Sequence, residues 1–426
     1  MLKNYLKIAF KVFLRRKFFT SISLFGISFT LAVLIVATSF LDHFFGPFPP
    51  EVKLDRTLFV FRIIPEYRPG EEGSSISYEI SPFFAEEYLR PLHHVEKVSI
   101  FGIETDHITH FSSRGEKINS ELKYTDADFW QILEFDFLEG SGFTAQDLEQ
   151  AKHVAVINEA TRGKAFGDEP AVGKVIRVDD QSFTVVGVVA NVPIFRLIPF
   201  ADIWIPYSTS GRFKDKRLIG GMQQLCGDFG AMILAEDQGN LSGIQEEYRH
   251  RLAGLEFMEE RPPVLGVHGH AESTFDTASR LIFPLEEVRW SRLFLLGVII
   301  SCMVLFMLLP AVNLINLSIS RTMERASEIG VRKAFGASSR TLVGQFVVEN
   351  VLLTLVGGIV GLAGAFLILR FIAAIDLIPY ARFHMNLRIF GYGMLLAFFF
   401  GIFSGVYPAW KMSRLHPVAA LQRRKK

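Results

Sequence analysis

Hydrophobic positions along the chain fall into two unlike regimes. In four segments, 18–41, 293–317, 350–369 and 389–409, no Asp, Glu, Lys or Arg interrupts the apolar run. A helix needs about twenty such residues to cross the hydrocarbon layer of a bilayer, so each segment predicts a membrane span. Between the first two spans the pattern changes to a two-residue alternation. TLFVFRII at 57–64, HVAVINE at 153–159, KVIRVDD at 174–180 and FTVVGVVANV at 183–192 read as strands. SPFFAEEYLRPL at 81–92 and GNLSGIQEEYRHRLAGL at 239–255 have helical spacing. Strands outnumber any regular strand–helix–strand rhythm, which predicts an α+β arrangement. The expected architecture is an α-helical membrane protein with four transmembrane helices and a large α+β extracytoplasmic domain inserted between helices 1 and 2. Its divisions are 1–41, 42–290 and 291–426, the last holding helices 2–4 and a charged loop at 318–344.

Charge adds a direction to this layout. Lys3, Lys7, Lys11, Arg15, Arg16 and Lys17 precede the first span. Arg321, Arg325, Arg332, Lys333 and Arg340 follow the second, and Lys411, Arg414, Arg423, Arg424, Lys425 and Lys426 follow the fourth. The connection between the third and fourth has only Arg370, Arg382 and Arg388, offset by Asp376. Lysine and arginine near span ends stay in the cytoplasm. Both termini and the 318–344 loop are thus expected inside, with the 42–290 domain exported. A cleaved signal peptide fits the first span poorly, because signal cores run only about 7–15 residues and no small-residue cleavage site follows. The net charge of +1 gives no case for a nucleic-acid partner. Of the two cysteines, Cys302 falls inside an apolar run, so a disulfide with Cys226 is not expected.

Few residues suggest catalysis. GDEPAVGKV at 167–175 approaches a phosphate-binding loop, but five residues separate its glycines and Val175 stands where Ser or Thr should bind magnesium. A turn between strands is the expected reading, and the chain has no other Walker-type match. His93–His94, His107 with His110, and His268 with His270 are spaced pairs that lack a third ligand in register, so no metal site is expected. Gly357, Gly358, Gly361 and Gly364, and again Gly401 and Gly405, put small residues along the third and fourth spans. Such stripes let helix backbones approach closely in lipid, either within the chain or against a second membrane chain. Pro310 is expected to kink the second span, and Glu349 to need a partner or interfacial water near the start of the third. RASEIGVRKAFGAS at 325–338 places Glu328 and Arg332 four apart on a short helix. Val331 and Phe335 share another face, and Gly336 suits a left-handed helix end. The stretch reads either as an amphipathic helix on the bilayer or as a rigid knob for a soluble partner.

RASEIGVRKAFGASSRTLVGQFVVENVLL resembles the hallmark region of FtsX-like ABC transporter permeases, R-x-x-EIG-x-RKA-x-GA and an apolar span with one Glu. NLINLSISR at 313–321 and YPAWKMSRLHPVAALQ at 407–422 fit the same pattern. NEATRGKAFGDEPAVGKVIRVDDQSFTVVGVVANVP at 158–193 resembles the MacB-type periplasmic core. The resemblance implies a permease of the bacterial inner membrane, multi-pass, with its large domain periplasmic. It implies a cytoplasmic ABC ATPase dimer, a second permease chain (identical or paralogous), and a periplasmic adaptor or hydrolase as partners. ATP and magnesium would be bound by the ATPase, with no cofactor and no catalytic residue in this chain. In the MacB type the ATPase is fused ahead of the first span; only 17 residues precede it here, so a separate ATPase chain is expected. Glu328, Gly330, Arg332, Lys333, Gly336 and Ala337 would form the ATPase-coupling helix. The resemblance further implies mechanotransmission, in which ATP-driven closure moves the exported domain. A signalling scaffold that switches an envelope hydrolase or sensor is the alternative.

Overall fold

The computed structural model describes residues 17–68, 77–103, 106–111, 117–178, 181–194, 196–210, 221–257, 263–284, 288–324 and 338–375, with isolated positions outside these ranges. The chain divides into two compact units. One comprises Met1–His43, Leu295–Leu377 and Arg382–Lys426; the other comprises Phe44–Phe294 and Ile378–Ala381.

The first unit is helical. Its long elements are α1 (Lys17–Phe45), α5 (Val288–Glu324) and α6 (Ser339–Ala374); α2, α3 and α4 belong to the second unit and are given below. Stretches long and apolar enough to cross a membrane lie at Thr20–Phe45, Val288–Leu305 and Val347–Ala374. These helices run past the charges that bound the apolar runs in the sequence, Asp42, Arg292 and Arg370. A charge at the end of a span reaches the interface without breaking the helix, so the helix outlasts the uncharged run. Pro310 lies within α5. Of the expected fourth span, only 390–392, 394–395, 398–399 and 402 are described, all helical. Hydroxyls inside α1 turn back onto their own helix. Ser28 donates to Leu24 O at 2.6 Å, Thr30 to Gly26 O at 2.8 Å, and Thr38 to Leu34 O at 2.7 Å. In hydrocarbon that return bond satisfies a polar group that water cannot reach.

The second unit is built on one sheet, fourteen-stranded among the described residues. Its strands are β1 (Thr57–Val60), β2 (Arg62–Glu66), β3 (Tyr78–Ile80), β4 (Val95–Gly102), β5 (Asp106–Phe111), β6 (Lys117–Thr125) and β7 (Phe137–Gly140). They continue with β8 (Val154–Asn158), β9 (Val175–Val178), β10 (Gln181–Val189), β11 (Ile203–Pro206), β12 (Cys226–Gly227), β13 (Phe229–Ala235) and β14 (Gly266–Gly269). The main path is β14-β2-β3-β13-β4-β6-β11-β8-β10-β7, with β1 also on β13 and β9 on β10. Most pairs are antiparallel; β8–β10 and β6–β11 are parallel. TLFVFRII divides at Phe61 because its two halves pair differently, β1 with β13 and β2 with β14 and β3.

One apolar cluster packs β2, β3, β4 and β13 beneath α3 (Leu241–Ala253), which contributes Ile244, Tyr248 and Leu252. Another joins β8, β9, β10 and β11 through Ile157, Ile176, Val185 and Ile203. SPFFAEEYLRPL forms a short helical turn capped by Ser81, whose Oγ accepts from Phe84 N at 3.1 Å, and then a π-turn. GDEPAVGKV is a turn. It follows α2 (Glu159–Phe166) and bends at Gly167 (φ 67°) and Gly173 (φ 85°), a left-handed conformation that favours glycine.

Candidate functional site

The expected coupling residues Glu328, Gly330, Arg332, Lys333, Gly336 and Ala337 lie outside the described residues. So do Gly401 and Gly405. Within the same stretch Val331, Phe335 and Ser338 are described. Phe335 N donates to Val331 O at 3.1 Å, a bond of helical span, and Phe335 is 88% exposed. Ser338 caps α6, its Oγ accepting from Thr341 N at 3.2 Å. The charged loop is thus closed on its distal side by a cap that starts the next membrane helix at once.

In the helical unit, Gly357, Gly361 and Gly364 place α6 against α1 of the same chain. A Cβ on Gly361 would stand 2.8 Å from Ser28 O and 3.1 Å from Leu31 Cβ. One on Gly357 would stand 2.7 Å from Ile27 Cγ2, whereas one on Gly364 would reach only Ala32 Cβ at 3.9 Å. Close approach is therefore concentrated at Gly357 and Gly361. Glu349 of α6 is buried.

In the sheet unit, two ion-pair systems hold the segments next to the long helices, the first buried on both sides and the second pairing a buried Asp276 with a half-exposed Arg292. Arg196 Nη1 bonds Glu51 Oε2 at 2.5 Å, and its Nη2 donates to Gly46 O at 3.0 Å, the residue after α1 ends. Both side chains are buried. Burial pushes the Glu51 carboxyl up, and Arg196 pulls it back. Lys123, also fully buried, donates from Nζ to Leu197 O at 2.6 Å and Ile198 O at 2.9 Å. Its pKa is pushed down to about 7 by loss of water, against the opposing charges of Glu121 and Glu51.

The second system lies where α5 begins. Arg292 grips Asp276 with Nε on Oδ1 and Nη2 on Oδ2, both at 2.5 Å. Asp276 belongs to α4 (Thr274–Ile282), whose N-cap is Ser273. Beside it Ser291 Oγ donates to Phe283 O at 2.7 Å, and the Phe283 and Phe294 rings meet edge-on at 4.7 Å. Arg280 pairs with Glu272 at 2.6 Å. His268 is taken up by Glu66 at 2.9 Å, while His270 lies 3.2 Å from Arg280 and is pushed down to about 4, first by burial. The two histidines thus have different neighbours.

None of Glu51, Lys123, Arg196, Asp276 or Arg292 stands out in the sequence by motif. One signal was there: Arg196 is the lone charge in VPIFRLIPF, and a charge inside an apolar run implies a buried partner.

Two family models match this chain in tandem. One, the MacB-like periplasmic core domain, covers residues 20–250. The other, the FtsX-like permease C-terminal region, covers residues 300–417. The chain belongs to the MacB/FtsX-like ABC transporter permease family. Among curated relatives, the uncharacterized ABC transporter permease YvrN of Bacillus subtilis is 27% identical over 84% of this chain and 84% of its own length. The macrolide export ATP-binding/permease protein MacB of Chromobacterium violaceum is 25% identical over 75% of this chain. The chain spans only 46% of that relative's length, and 42% of the Burkholderia lata MacB, to which it is 28% identical. Among solved structures, the periplasmic region of MacB from Actinobacillus actinomycetemcomitans aligns over 55% of this chain and 94% of its own length, at 16% identity and a TM-score of 0.38. That likeness is too distant to add weight to the family assignment. The MacB-like core model takes in nearly all of α1 and most of the sheet unit, and the FtsX-like model takes in most of α5 and all of α6.

Proposed function

We propose that this chain is the permease subunit of a MacB/FtsX-type ABC system, coupling ATP hydrolysis by a separate cytoplasmic ATPase to movement of its exported domain. Export proceeds by that movement, from the membrane or from the space beyond it, and not through a polar channel between the helices. The observation that carries the coupling role is Phe335. An aromatic side chain 88% exposed, on a helical turn between two helices of membrane-spanning length, is an unfilled contact of the kind a partner's groove covers. Membership of an ABC permease family supports an ATPase as that partner. Glu328, Gly330, Arg332, Lys333, Gly336 and Ala337 are assigned to the same contact, through their family motif. The ATPase acts as a dimer that binds ATP and magnesium, and the permease pairs with a second permease chain.

Co-expression of the chain with a tagged ABC ATPase tests this. Glu328→Ala, Phe335→Ala and Gly336→Val should leave the amount in the membrane unchanged and reduce ATPase recovery. Losing one partner of a desolvated ion pair costs about 2–5 kcal/mol, roughly thirtyfold or more in affinity, against about 0.3–0.5 kcal/mol for an exposed helix pair. Normal recovery with all three variants would remove the coupling role and leave an amphipathic helix on the bilayer.

A further inference from the structure

Two segments of the sheet unit have the same unusual polarity, with charge inside and hydrocarbon outside. In α4, Asp276 and Ser279 are buried, while Leu281 is 84% and Ile282 56% exposed. The inward face is held by Arg292 on Asp276, and by Arg280 on the neighbouring Glu272. In the loop after β10, Arg196 is buried on Glu51 and Gly46 O, and Lys123 fixes the Leu197 and Ile198 carbonyls. Leu197 is nonetheless 74% and Ile194 41% exposed. A protein in water gains by placing these side chains the other way round, because each exposed large apolar group forfeits its burial.

Chain continuity says what covers them. Ile282 lies six positions before Val288, where a helix of membrane-spanning length begins. Arg289 and Trp290, in the first turn of that helix, are exposed, and Trp is a residue of the membrane–water interface. The loop is tied to the other crossing point, since Arg196 binds Gly46 O directly after α1 ends at Phe45. Phe45 in turn packs edge-on against Phe275 of α4, ring centroids 5.2 Å apart, which brings the two segments to one end of the domain. We propose that Ile194, Leu197, Leu281 and Ile282 insert into the outer leaflet of the bilayer, so that this end of the exported domain is an interfacial lipid contact. The inference rests on the membrane-spanning reading of α1 and α5. The ion pairs, each with a buried carboxylate or guanidinium, serve it by holding the apolar tips outward, where an ordinary loop would fold them in.

Nitroxide accessibility on the full chain in phosphatidylcholine vesicles tests this. Cys226 and Cys302, neither in a disulfide, are first replaced by Ala. Single labels then go on Leu197→Cys and Ile282→Cys, two exposed positions. Leu367→Cys, exposed on α6, is the lipid reference. Ser182→Cys is the water reference; it is exposed at the far end of nine-residue β10, about 25 Å from the loop at ~3.3 Å per residue. Labels at 197 and 282 should be relaxed by oxygen as at 367 and lose the relaxation by a water-soluble nickel chelate seen at 182. Nickel relaxation equal to that at 182 overturns the inference while leaving the spans in place. Low accessibility to both reagents overturns it in favour of a protein cover, such as a second copy. Nickel access at 367 itself would bring down the membrane-spanning reading, and this inference with it.

Discussion

A buried ammonium group such as that of Lys123 gives up its hydration for two carbonyl oxygens, those of Leu197 and Ile198. The charged form suffers most from burial, so the proton is held less tightly in the folded chain, near 7, than the ordinary 10.5. Between those values the unfolded chain binds a proton that the folded chain has released, and stability therefore rises with pH. Asp126, pushed up to about 7 by burial, titrates below pH 8 and leaves the upper window to Lys123. Thermal unfolding of the full chain in detergent should show a gain of about 2 kcal/mol from pH 8 to pH 10, and Lys123→Met should abolish that gain. An equal rise in the variant would mean that Lys123 keeps its proton when folded.

At the scale of single elements, contact between α6 and α1 turns on one glycine more than on its neighbours. The Ser28 carbonyl that a Cβ on Gly361 would strike is backbone and cannot swing aside, whereas Gly364 has room. Gly361→Ala should lower stability by about 1–3 kcal/mol, the usual range for overpacking. Gly364→Ala should change it by less than about 0.5 kcal/mol, as a site without such a contact. The pair is read by thermal unfolding of the full chain; equal effects would mean that the helices are not packed through Gly361. The stripe itself was legible in the sequence, because small residues at spacings of three and four need no partner to be seen. Which glycine bears the contact was not, since that depends on where Ser28 falls on another helix. The division of TLFVFRII at Phe61 was hidden for a like reason: the break lies in a change of partner strand, from β13 to β14 and β3. The 274–282 helix escaped notice because its apolar residues face outward, where a core-seeking pattern would place Asp276 and Ser279.

For the whole molecule, the family, the α+β character of the large domain and the apolar helices were all readable. Charge-free runs and alternation survive without tertiary context, and the EIG-x-RKA-x-GA motif is specific. The ion pairs at the chain crossings were not readable, because Glu51 and Arg196 lie 145 residues apart and only the fold makes them neighbours. The orientation expected from the charges beside the spans is testable directly. Reporter fusions at Leu58, Gly239 and Asp376 should report export, and those at Ser338 and Arg424 the cytoplasm. A cytoplasmic signal at Gly239 would reverse the topology.

The two-point grip of Arg292 on Asp276 has a mechanical meaning of its own. A helix fastened by one bond can swivel about its axis. A planar guanidinium set flat against a carboxylate opposes that swivel, because turning shortens one bond only by stretching the other. Ser291 on the Phe283 carbonyl and Phe294 on the Phe283 ring add holds at neighbouring positions of the helix. The start of α5 is keyed to α4 in the way a shaft is keyed to a gear. Rotation of the first turns of α5, Val288–Phe294, about their axis would carry α4 with them.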